Sequence, residues 1–342
     1  MKLGIIGLPM SGKRTLFKAL TKTETESKME NRQAMVRVPD TRIDTLSEMY
    51  NPKKTTYAQI DYFLPGLAFS KDEKTKDQPV WGRVRDCDAL IHVLRNFEET
   101  GLGHPDPVED FRKLDEELML SDLVVVDKRL ERLDADLKKR RTINQTEYTL
   151  LQECRTVLEG GIPLRRNLPL ASSPVLRGFT FLSAKPVLAT LNGSEAGDDI
   201  PEKFENRSGE RFLSIRGKIE HEIARMSDEE GLDFLSEFGI AEPAMNKAIR
   251  ESYSLLGLIS FFTVGEDEVR AWTIRAGTRA VDAAEEIHSD IKKGFIRAEV
   301  VSYDDLVESG SYVEAKKRGL VRLEGKEYVV EDGDVMEFRF SV

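Results

Sequence analysis

The stretch Lys2-Leu-Gly-Ile-Ile-Gly-Leu-Pro-Met-Ser-Gly-Lys13 begins as a short apolar run and continues as a loop bounded by glycines. Residues 7–13 match the pattern G-x-x-x-x-G-K, which is typical of loops that hold phosphate groups. Leu16, Ala19 and Leu20 then recur at helical spacing. A strand, a glycine-rich loop and a helix in this order present backbone N–H groups and the positive end of the helix dipole to an anion. The stretch therefore predicts an α/β sheet with a phosphate site after its first strand.

The loop predicts six nucleotide-binding residues, which are Met10, Ser11, Gly12, Lys13, Arg14 and Thr15. Their backbone N–H groups are expected to form an anion-binding nest, and the Lys13 ammonium is expected to reach the β- and γ-phosphates. A purely structural turn is the alternative, but it explains neither the lysine nor the spacing. Arg14 departs from the pattern, because the hydroxyl of a Ser or Thr at this position is a Mg²⁺ ligand and Thr15 comes one place too late.

Two further apolar runs, Ala89-Leu-Ile-His-Val-Leu94 and Val187-Leu-Ala-Thr-Leu191, predict strands of the same sheet. They are hydrophobic throughout, as parallel strands covered on both faces are. Between them, from Val108 to about Leu158, apolar residues recur at helical spacing on both sides of a polar turn at residues 141–145. This pattern predicts two antiparallel helices that project from the sheet as a hairpin. The stripe residues are Leu114, Leu118, Leu123, Leu130, Leu133 and Leu137, then Tyr148, Leu151, Cys154 and Leu158.

The basic run Lys138-Lys-Arg-Arg141 lies near the predicted tip of this hairpin. Cations are common at the C-terminal end of a helix, where they interact favourably with the helix dipole. A contact with the phosphate backbone of a nucleic acid is the alternative, since lysines and arginines neutralise phosphates. The sequence leaves both interpretations open.

The pattern changes after about Leu258. Apolar residues at 336, 338, 340 and 342 alternate with Glu337, Arg339 and Ser341, and Glu331-Asp-Gly-Asp334 predicts a turn before them. We expect a hairpin between residues 328–330 and 336–342 with one buried face. A helical pattern at residues 280–291 lies among strand-like pieces, so residues 259–342 predict a small α+β domain.

The chain of 342 residues is long enough for two or three domains with buried cores. Hydrophobic residues make up 40% and charged residues 33%, which is typical of a globular protein and excludes a disordered chain. The net charge of -10 argues against a surface that binds nucleic acid everywhere but allows a local basic patch. No apolar run reaches the roughly 20 residues of a membrane span and we expect no secretory signal, which predicts a cytoplasmic protein that does not bind membranes.

Motifs in order along nearly the whole chain resemble those of the Obg-like ATPases of the YchF type. They are the phosphate loop, Val38-Pro-Asp-Thr-Arg-Ile43, Asp88-Ala-Leu-Ile-His-Val-Leu-Arg95, Ala184-Lys-Pro-Val187, Asn192-Gly-Ser-Glu195, and the tract from Phe261-Phe-Thr-Val-Gly through Gly294-Phe-Ile-Arg-Ala-Glu299 to Glu331-Asp-Gly-Asp334. The resemblance implies a P-loop GTPase-like domain, a helical insert and a C-terminal TGS domain of the β-grasp type. It also implies nucleotide-dependent work near ribosomes, usually with ATP preferred over GTP.

The resemblance assigns base recognition to Asn192, Gly193 and Glu195, which follow a buried strand in the pattern N-x-x-E. Related GTPases have an aspartate in the last place, and its loss removes the paired acceptor for the N1 and N2 protons of guanine, so adenine becomes acceptable. As a bare pattern, Asn-Gly also indicates a simple turn. Arg216 and Gly217 stand where the family's second base-contacting loop has Ser-Ala.

The chain departs from the Mg²⁺ site that the resemblance implies. Phe63 stands three residues before Gly66, in the place of the aspartate that holds the metal, and Asp61 is out of register. The switch threonine expected near residue 28 is missing, with Ser27 and Thr25 as candidates for its role. We therefore predict no metal site, and dependence on Mg²⁺ is doubtful.

His104 is the catalytic candidate. It lies in a loop before Asp106-Pro-Val-Glu-Asp110, where the family carries a histidine associated with hydrolysis. A surface histidine without a catalytic role is the alternative, since the loop is polar and contains prolines.

These observations predict three modules: a P-loop nucleotide-binding domain of residues 1–107 and 171–258, a helical hairpin of residues 108–170, and a TGS-like β-grasp domain of residues 259–342. The predicted function is binding of ATP, with GTP as the second candidate, with weak or absent hydrolysis. The insert and the TGS-like domain are expected to contact a ribosome, RNA or another assembly. The alternatives are an adaptor that needs no nucleotide and an active Mg²⁺-dependent ATPase or GTPase.

Overall fold

The computed structural model describes residues 1–23, 30–66, 80–194, 200–201, 204, 209–237, 240 and 242–341. The chain divides into two units. The first unit consists of Met1–Met35 and Asp61–Glu251, and the second of Val36–Ile60 and Ser252–Val342. Among the described residues, the strands form two sheets of six strands each.

The strands of the described residues, in chain order, are β1 (Lys2–Ile6), β2 (Arg32–Arg37), β3 (Lys54–Thr56), β4 (Gln59–Leu64), β5 (Ala89–Asn96), β6 (Val187–Gly193), β7 (Glu210–Ile215), β8 (Leu258–Thr263), β9 (Glu268–Arg275), β10 (Phe295–Ser302), β11 (Arg322–Glu324) and β12 (Asp334–Phe340). The α-helices are α1 (Lys13–Thr21), α2 (Thr41–Tyr50), α3 (Pro107–Lys138), α4 (Gln145–Glu159), α5 (Leu168–Ala171), α6 (Gly217–Ile223), α7 (Asp228–Glu237), α8 (Ala244–Leu255), α9 (Ala280–Ile287), α10 (Ser289–Lys293), α11 (Tyr303–Ser309) and α12 (Tyr312–Lys317).

The first sheet has the strand order β2-β4-β1-β5-β6-β7. β1 pairs in parallel with β4 and β5, and β6 pairs in parallel with β5 and β7. The side chains of β1, β5 and β6 are almost all buried, as expected for parallel strands covered on both faces. The predicted α/β sheet is confirmed. Because parallel strands point the same way, the phosphate loop after β1 and Asn192 near the end of β6 meet at one edge of the sheet.

The helices α3 and α4 form the predicted hairpin. α3 begins at Pro107, where the carboxylate of Asp106 accepts the N–H of Glu109 at 3.0 Å. α4 runs antiparallel to α3, since Tyr148 donates to Asp134 at 2.7 Å while Arg155, farther along α4, pairs with Asp127. The predicted stripes pack together through the buried residues Leu130, Leu133, Leu151, Cys154 and Leu158.

The prediction for Leu137 is wrong, because its side chain is 44% exposed in the last turn of α3, next to the open tip. α3 spans 32 residues, but charged side chains occur along its whole length. In the described part of the chain, no helix combines the length and the apolar character that crossing a membrane requires.

A buried ion network fixes the base of this hairpin. Arg165 lies in a short 3₁₀ turn, Leu164–Arg166, which follows α4. Its guanidinium donates to Asp115 on α3 and, at 2.8 Å, to Glu210 at the start of β7. The side chain of Arg165 is 1% exposed and that of Glu210 is also 1% exposed. The neighbouring Arg166, which is one-third exposed, binds the same Glu210 at 2.9 Å. Helix, turn and strand are therefore joined by charges inside the protein.

The second sheet has the strand order β11-β10-β12-β8-β9-β3. β12 is antiparallel to β10 and parallel to β8, while β8 and β9 form an antiparallel pair. The small residues Ala280, Ala283 and Ala284 let α9 pack closely on one face of this sheet, against Phe261 and Val300 among others. The second unit is therefore an α+β structure, as predicted for residues 259–342.

The predicted hairpin between residues 328–330 and 336–342 is wrong. Residues 336–340 lie in β12, whose partners are β10 and β8 rather than the preceding segment. The carboxylate of Asp334 accepts both the N–H of Glu331 at 2.9 Å and the hydroxyl of Tyr328 at 2.8 Å, which holds residues 328–334 in a tight turn. Val329 instead forms an isolated bridge with Arg279. β12 therefore pairs with the distant strand β10 and not with the segment just before the turn.

Residues 36–60 belong to the second unit, although the sequence placed them in the nucleotide-binding domain of residues 1–107. β3 in this segment pairs in parallel with β9 and extends the second sheet. On α2, Arg42 donates to Asp332 at 2.9 Å, and its guanidinium carbon lies 5.2 Å from the centre of the Phe262 ring. These partners are far apart in sequence, so no local pattern indicated them. The other domain boundaries stay predictions.

Candidate functional site

The phosphate loop joins the buried end of β1 to the start of α1. Met10 has φ 64° and Gly12 has φ 97°, so two residues of the loop adopt the left-handed backbone conformation. Gly12 is the N-cap of α1, and no side chain caps this helix end within the described residues. The first N–H groups of a helix lack acceptors inside the helix. They are therefore oriented to bind an anion at the positive end of the helix dipole.

Lys13 lies across this loop. Its ammonium donates to the carbonyl oxygens of Gly7 at 2.8 Å and Leu8 at 2.6 Å. Burial, and to a lesser extent the positive charge of Arg14, lower the pKa of Lys13 from 10.5 to about 8. Neutral carbonyls bind an ammonium less strongly than anionic phosphate oxygens do. An anion bound at the loop would therefore give the Lys13 ammonium stronger hydrogen bonds than the two carbonyl oxygens do.

Asn192 connects three parts of the site. Its Nδ2 donates to the carbonyl oxygen of Ser11 at 3.1 Å, and its Oδ1 accepts the N–H of Gly217 at 3.0 Å. The side chain is 6% exposed and links the phosphate loop to the start of α6 from its position in β6. Asn192 therefore holds the loops of the site together, and this is a structural reason for an asparagine here.

Two glycines are required by this close approach. A Cβ atom on Gly12 would lie 2.1 Å from Nδ2 of Asn192, and one on Gly217 would lie 2.5 Å from its Oδ1. A side chain at either position would displace the Asn192 amide from its hydrogen bonds with Ser11 and Gly217. Gly217 departs from the Ser-Ala pattern of the resembling family, and in this chain it lets the backbone approach the Asn192 amide closely.

An open cavity of about 1230 Å³ begins at the phosphate loop. It is lined by the predicted residues Met10, Gly12, Lys13, Arg14, Thr15, Asn192, Gly193 and His104, and also by Leu64, Pro65, Phe97, Glu98, Glu99, Ser194, Arg216 and Lys218. The predicted residue Ser11 differs, because its side chain is buried and its Oγ has no hydrogen-bond partner among the residues that the structure describes. Ser11 contributes to the site through its backbone carbonyl, which Asn192 binds.

The loop after β5 brings His104 to the rim of this cavity. Arg95 donates to the carbonyl oxygens of Phe97 at 3.2 Å and Gly103 at 2.9 Å, which closes the loop on itself. Nδ1 of His104 lies 2.5 Å from Oε1 of Glu98, and the histidine side chain is 87% exposed. A carboxylate at Nδ1 orients an imidazole and leaves Nε2 for another partner. The geometry suits a proton acceptor, and it equally suits a surface ion pair.

The position of the metal-binding aspartate is part of the hydrophobic core. Phe63 is 6% exposed and packs with Ile6, Val84, Cys87 and Leu90, among others. Asp61, two residues earlier, accepts a hydrogen bond from Gln33. Within the described residues no group of three or more His, Cys, Asp or Glu side chains could hold a metal ion. Because Phe63 lies in the core and Arg14 has no hydroxyl, these two positions do not fit the Mg²⁺ site of an ordinary phosphate loop.

Several residues of the predicted site lie outside the described residues. They are Glu195 of the base-recognition pattern and the two candidates for the switch threonine, Thr25 and Ser27. Their predicted roles stay predictions.

Sequence reasoning missed four contributors. Glu98 and Glu99 line the cavity, Lys218 lines it beside Arg216, and Arg95 shapes the loop that carries His104. The position of the two glutamates, directly after a buried strand, was the available signal, because ligands bind beyond the carboxyl ends of parallel strands.

Known proteins are similar to this chain over its whole length. The "Ribosome-binding ATPase YchF" of Bacillus subtilis (strain 168) is 38% identical over 99% of this chain and 99% of its own. The protein of the same name from Mycoplasma genitalium is 33% identical over 100% of both chains. The Schizosaccharomyces pombe YchF GTPase has a similar structure, with a TM-score of 0.84, 28% identity, and coverage of 99% of this chain and 97% of that one. A family profile, YchF-GTPase_C, described as a protein of unknown function (DUF933), matches residues 258–341.

A sheet with parallel central strands, whose first strand leads through this loop into α1 and which carries Asn192 near the end of β6, defines a P-loop protein with a GTPase-like fold. Within this class of P-loop proteins, the full-length relatives identify the family. The chain belongs to the family of YchF-type Obg-like GTPases.

Proposed function

We propose that this protein binds a purine nucleoside triphosphate at the phosphate loop and turns it over slowly or not at all. One observation carries the proposal: the uncapped start of α1, the Lys13 ammonium and Asn192 all face or border one cavity of about 1230 Å³. The cations Lys13 and Arg14 lie at the end of this cavity where phosphates bind in P-loop proteins. Relatives that are named ATPases support nucleotide binding by this chain.

ATP is the proposed nucleotide, and GTP is the second candidate. In related GTPases, an aspartate carboxylate accepts the N1 and N2 protons of guanine. The N-x-x-E pattern has a glutamate in the place of that aspartate. The amide of Asn192 is already engaged with Ser11 and Gly217, so discrimination falls on the groups around it. Titration calorimetry with ATP and GTP tests this choice. Tighter binding of ATP is expected, and GTP bound at least as tightly would contradict it.

Nucleotide binding is expected to change less than about threefold when Mg²⁺ is removed with a chelator. In an ordinary phosphate loop the metal needs the loop hydroxyl and the aspartate together. Here Arg14 and the buried Phe63 stand in those places, and a guanidinium contributes positive charge without a metal. Calorimetry with and without Mg²⁺, followed by a phosphate-release assay, measures both parts of the proposal.

The variant Arg14→Ser is the matched test of this metal independence. It restores the hydroxyl, so it is expected to weaken binding in chelator without producing turnover, because the aspartate is still absent. Loss of wild-type binding on chelation, or phosphate release that depends on Mg²⁺, would show that an active ATPase or GTPase is the correct reading.

We also propose that the protein acts with ribosomes in the cytoplasm, with the hairpin α3–α4 and a TGS-like C-terminal unit as the contact elements. The relatives from B. subtilis and M. genitalium are named ribosome-binding ATPases. In the described ranges of the chain, neither element contributes a residue to the cavity lining, which supports a binding role rather than a catalytic one. Co-sedimentation of the full chain with purified ribosomes, with no nucleotide, ATP or GTP, tests the proposal. Absence of association in every state would refute it.

A further inference from the structure

The second unit contains a cavity of about 350 Å³ beside the strands β8 and β12. Within the described residues, these two parallel strands pair at one position, Phe262 with Val335. The residues that follow this position border the cavity, with Thr263 and Val264 on the β8 side and residues 336–338 on the β12 side. The cavity therefore begins directly beyond the point where the two strands stop pairing.

The walls of this cavity are mostly apolar, and they include aromatic rings. Ile287 of α9 and Ile291 of α10 contribute aliphatic side chains. The rings belong to Tyr50 at the end of α2, Tyr312 at the start of α12 and Phe338 in β12. The faces of aromatic rings carry partial negative charge and attract cations. These walls therefore suit a ligand that has an apolar body and a positive charge.

Glu337 supplies the charged group of the cavity. Its side chain is exposed at the wall and forms no ion pair with any residue that the structure describes. The cations that line the adjoining cavity in the described chain are each paired with another carboxylate: Lys316 and Arg339 with Glu299, and Lys317 with Glu314. Burial first, and then the charge of Glu337, raise the pKa of Tyr312 to about 12. The Glu337 carboxylate is therefore left for a cation from outside the chain.

We propose that this cavity binds a small primary amine with an apolar body. The ammonium pairs with the Glu337 carboxylate and lies against the aromatic rings, while Ile287 and Ile291 contact the body of the ligand. The volume is near the lower end of the range for ligand pockets, roughly 300–1,000 Å³, so the ligand is small. The cavity belongs to the second unit and the phosphate loop to the first, so the inference does not rest on nucleotide binding.

Phenethylamine, which joins one aromatic ring to one ammonium, is the probe for this site. Ligand-observed NMR on the full chain should give a Kd of about 0.1–1 mM, as expected for so small a molecule. Phenethyl alcohol, which lacks the charge, should bind at least about fivefold more weakly. Equal affinities for the amine and the alcohol, or no binding of the amine at about 10 mM, would overturn the proposal.

The variant Glu337→Gln tests the carboxylate, because it removes the charge and keeps the size of the side chain. It should weaken phenethylamine binding about five- to tenfold and leave the binding of phenethyl alcohol unchanged. Glu308→Gln is the matched control, since Glu308 on α11 is also exposed and is absent from the described lining of the cavity. It should bind phenethylamine like the wild type. Equal affinity of Glu337→Gln and the wild type would refute the site.

Two variants of Tyr50 test the aromatic wall. Tyr50→Phe keeps the ring and removes a buried hydroxyl that has no hydrogen-bond partner among the described residues, so its melting temperature should be unchanged or higher. Its affinity for phenethylamine should stay within about twofold of the wild type, whereas Tyr50→Leu should lose about threefold or more. Equal binding by the phenylalanine and leucine variants would contradict the role of the ring.

A lysine side chain of a partner protein is the other source of an ammonium. The tripeptide acetyl-Gly-Lys-Gly-amide carries that ammonium on an aliphatic chain and is the probe for this alternative. It should bind more weakly than phenethylamine, because it has no ring to bury among the apolar walls. Tighter binding of the peptide would show that the cavity receives a protein side chain and would overturn the proposal.

Discussion

Replacement of Lys13 by alanine is expected to lower the affinity for ATP and for GTP by about 100-fold, which corresponds to about 3 kcal/mol. The ammonium is held over the phosphate loop by the carbonyl oxygens of Gly7 and Leu8, and phosphate oxygens are stronger acceptors for it. Titration calorimetry measures the change. Lys18→Ala on the same helix is the matched control and should bind nucleotide like the wild type. Affinity of Lys13→Ala within threefold of the wild type would show that the loop does not hold phosphates.

The same lysine predicts a pH dependence. Its pKa of about 8 in the free protein means that it is charged at pH 7 and mostly neutral at pH 9. A bound phosphate favours the charged form, so binding near and above pH 8 should take up a proton, and the affinity should fall as the pH rises from 7 to 9. Calorimetry in buffers of different ionisation enthalpy measures the proton uptake. Lys13→Ala should bind weakly at both pH values and show no such dependence.

Replacement of Arg165 by methionine is expected to cost about 3–5 kcal/mol of unfolding free energy. The guanidinium is buried with Asp115 and Glu210, and its removal leaves Asp115 without its ion pair and Glu210 with Arg166 alone. Burial raises the pKa of Asp115 even though Arg165 beside it acts in the opposite direction, so loss of the arginine makes the buried carboxylate still less favourable. Urea denaturation followed by circular dichroism measures the loss.

Arg166→Met is the control for this prediction. Its side chain is one-third exposed and binds the same Glu210, so water can replace much of the contact and a loss of about 1 kcal/mol or less is expected. Adding Asp115→Asn to Arg165→Met should recover part of the stability, because it removes the buried carboxylate that has lost its ion pair. Equal losses of unfolding free energy for the two arginine variants would contradict the prediction, because they would show that burial does not determine how much each arginine stabilises the protein.

The sequence was sufficient to predict the part of the site that consecutive residues form. Residues 7–13 and the leucines after them predicted β1, the loop and α1, because each of these elements depends on its own local residues. The sequence also predicted the hairpin, whose helices bury residues spaced at helical intervals. His92, on an apolar strand, was expected in the core and is 1% exposed.

What the sequence did not indicate depends on partners distant in the chain. Asn192 was assigned to base recognition, yet its contacts with Ser11 and Gly217 exist only because β1, β6 and α6 meet at one edge of the sheet. The turn at residues 331–334 was recognised, but β12 pairs with β10 because non-local pairing offers a longer ladder than the short segment before the turn. Local turn chemistry identifies a turn without fixing which strands it joins.

The two-part composition of the second unit determines when it is able to fold. α2 buries Ile43 and Leu46, and Arg42 meets Asp332, which lies 290 residues farther along the chain. During synthesis, residues 36–60 leave the ribosome long before β8, β9 and β12 have been made. Until then, their apolar side chains and the edge of β3 are exposed to solvent. Folding of this unit is therefore among the last steps of biogenesis, and such long-range contacts are slow to form. A chain whose synthesis stops before β12 leaves this segment exposed near its N-terminus, where a chaperone or protease can recognise it.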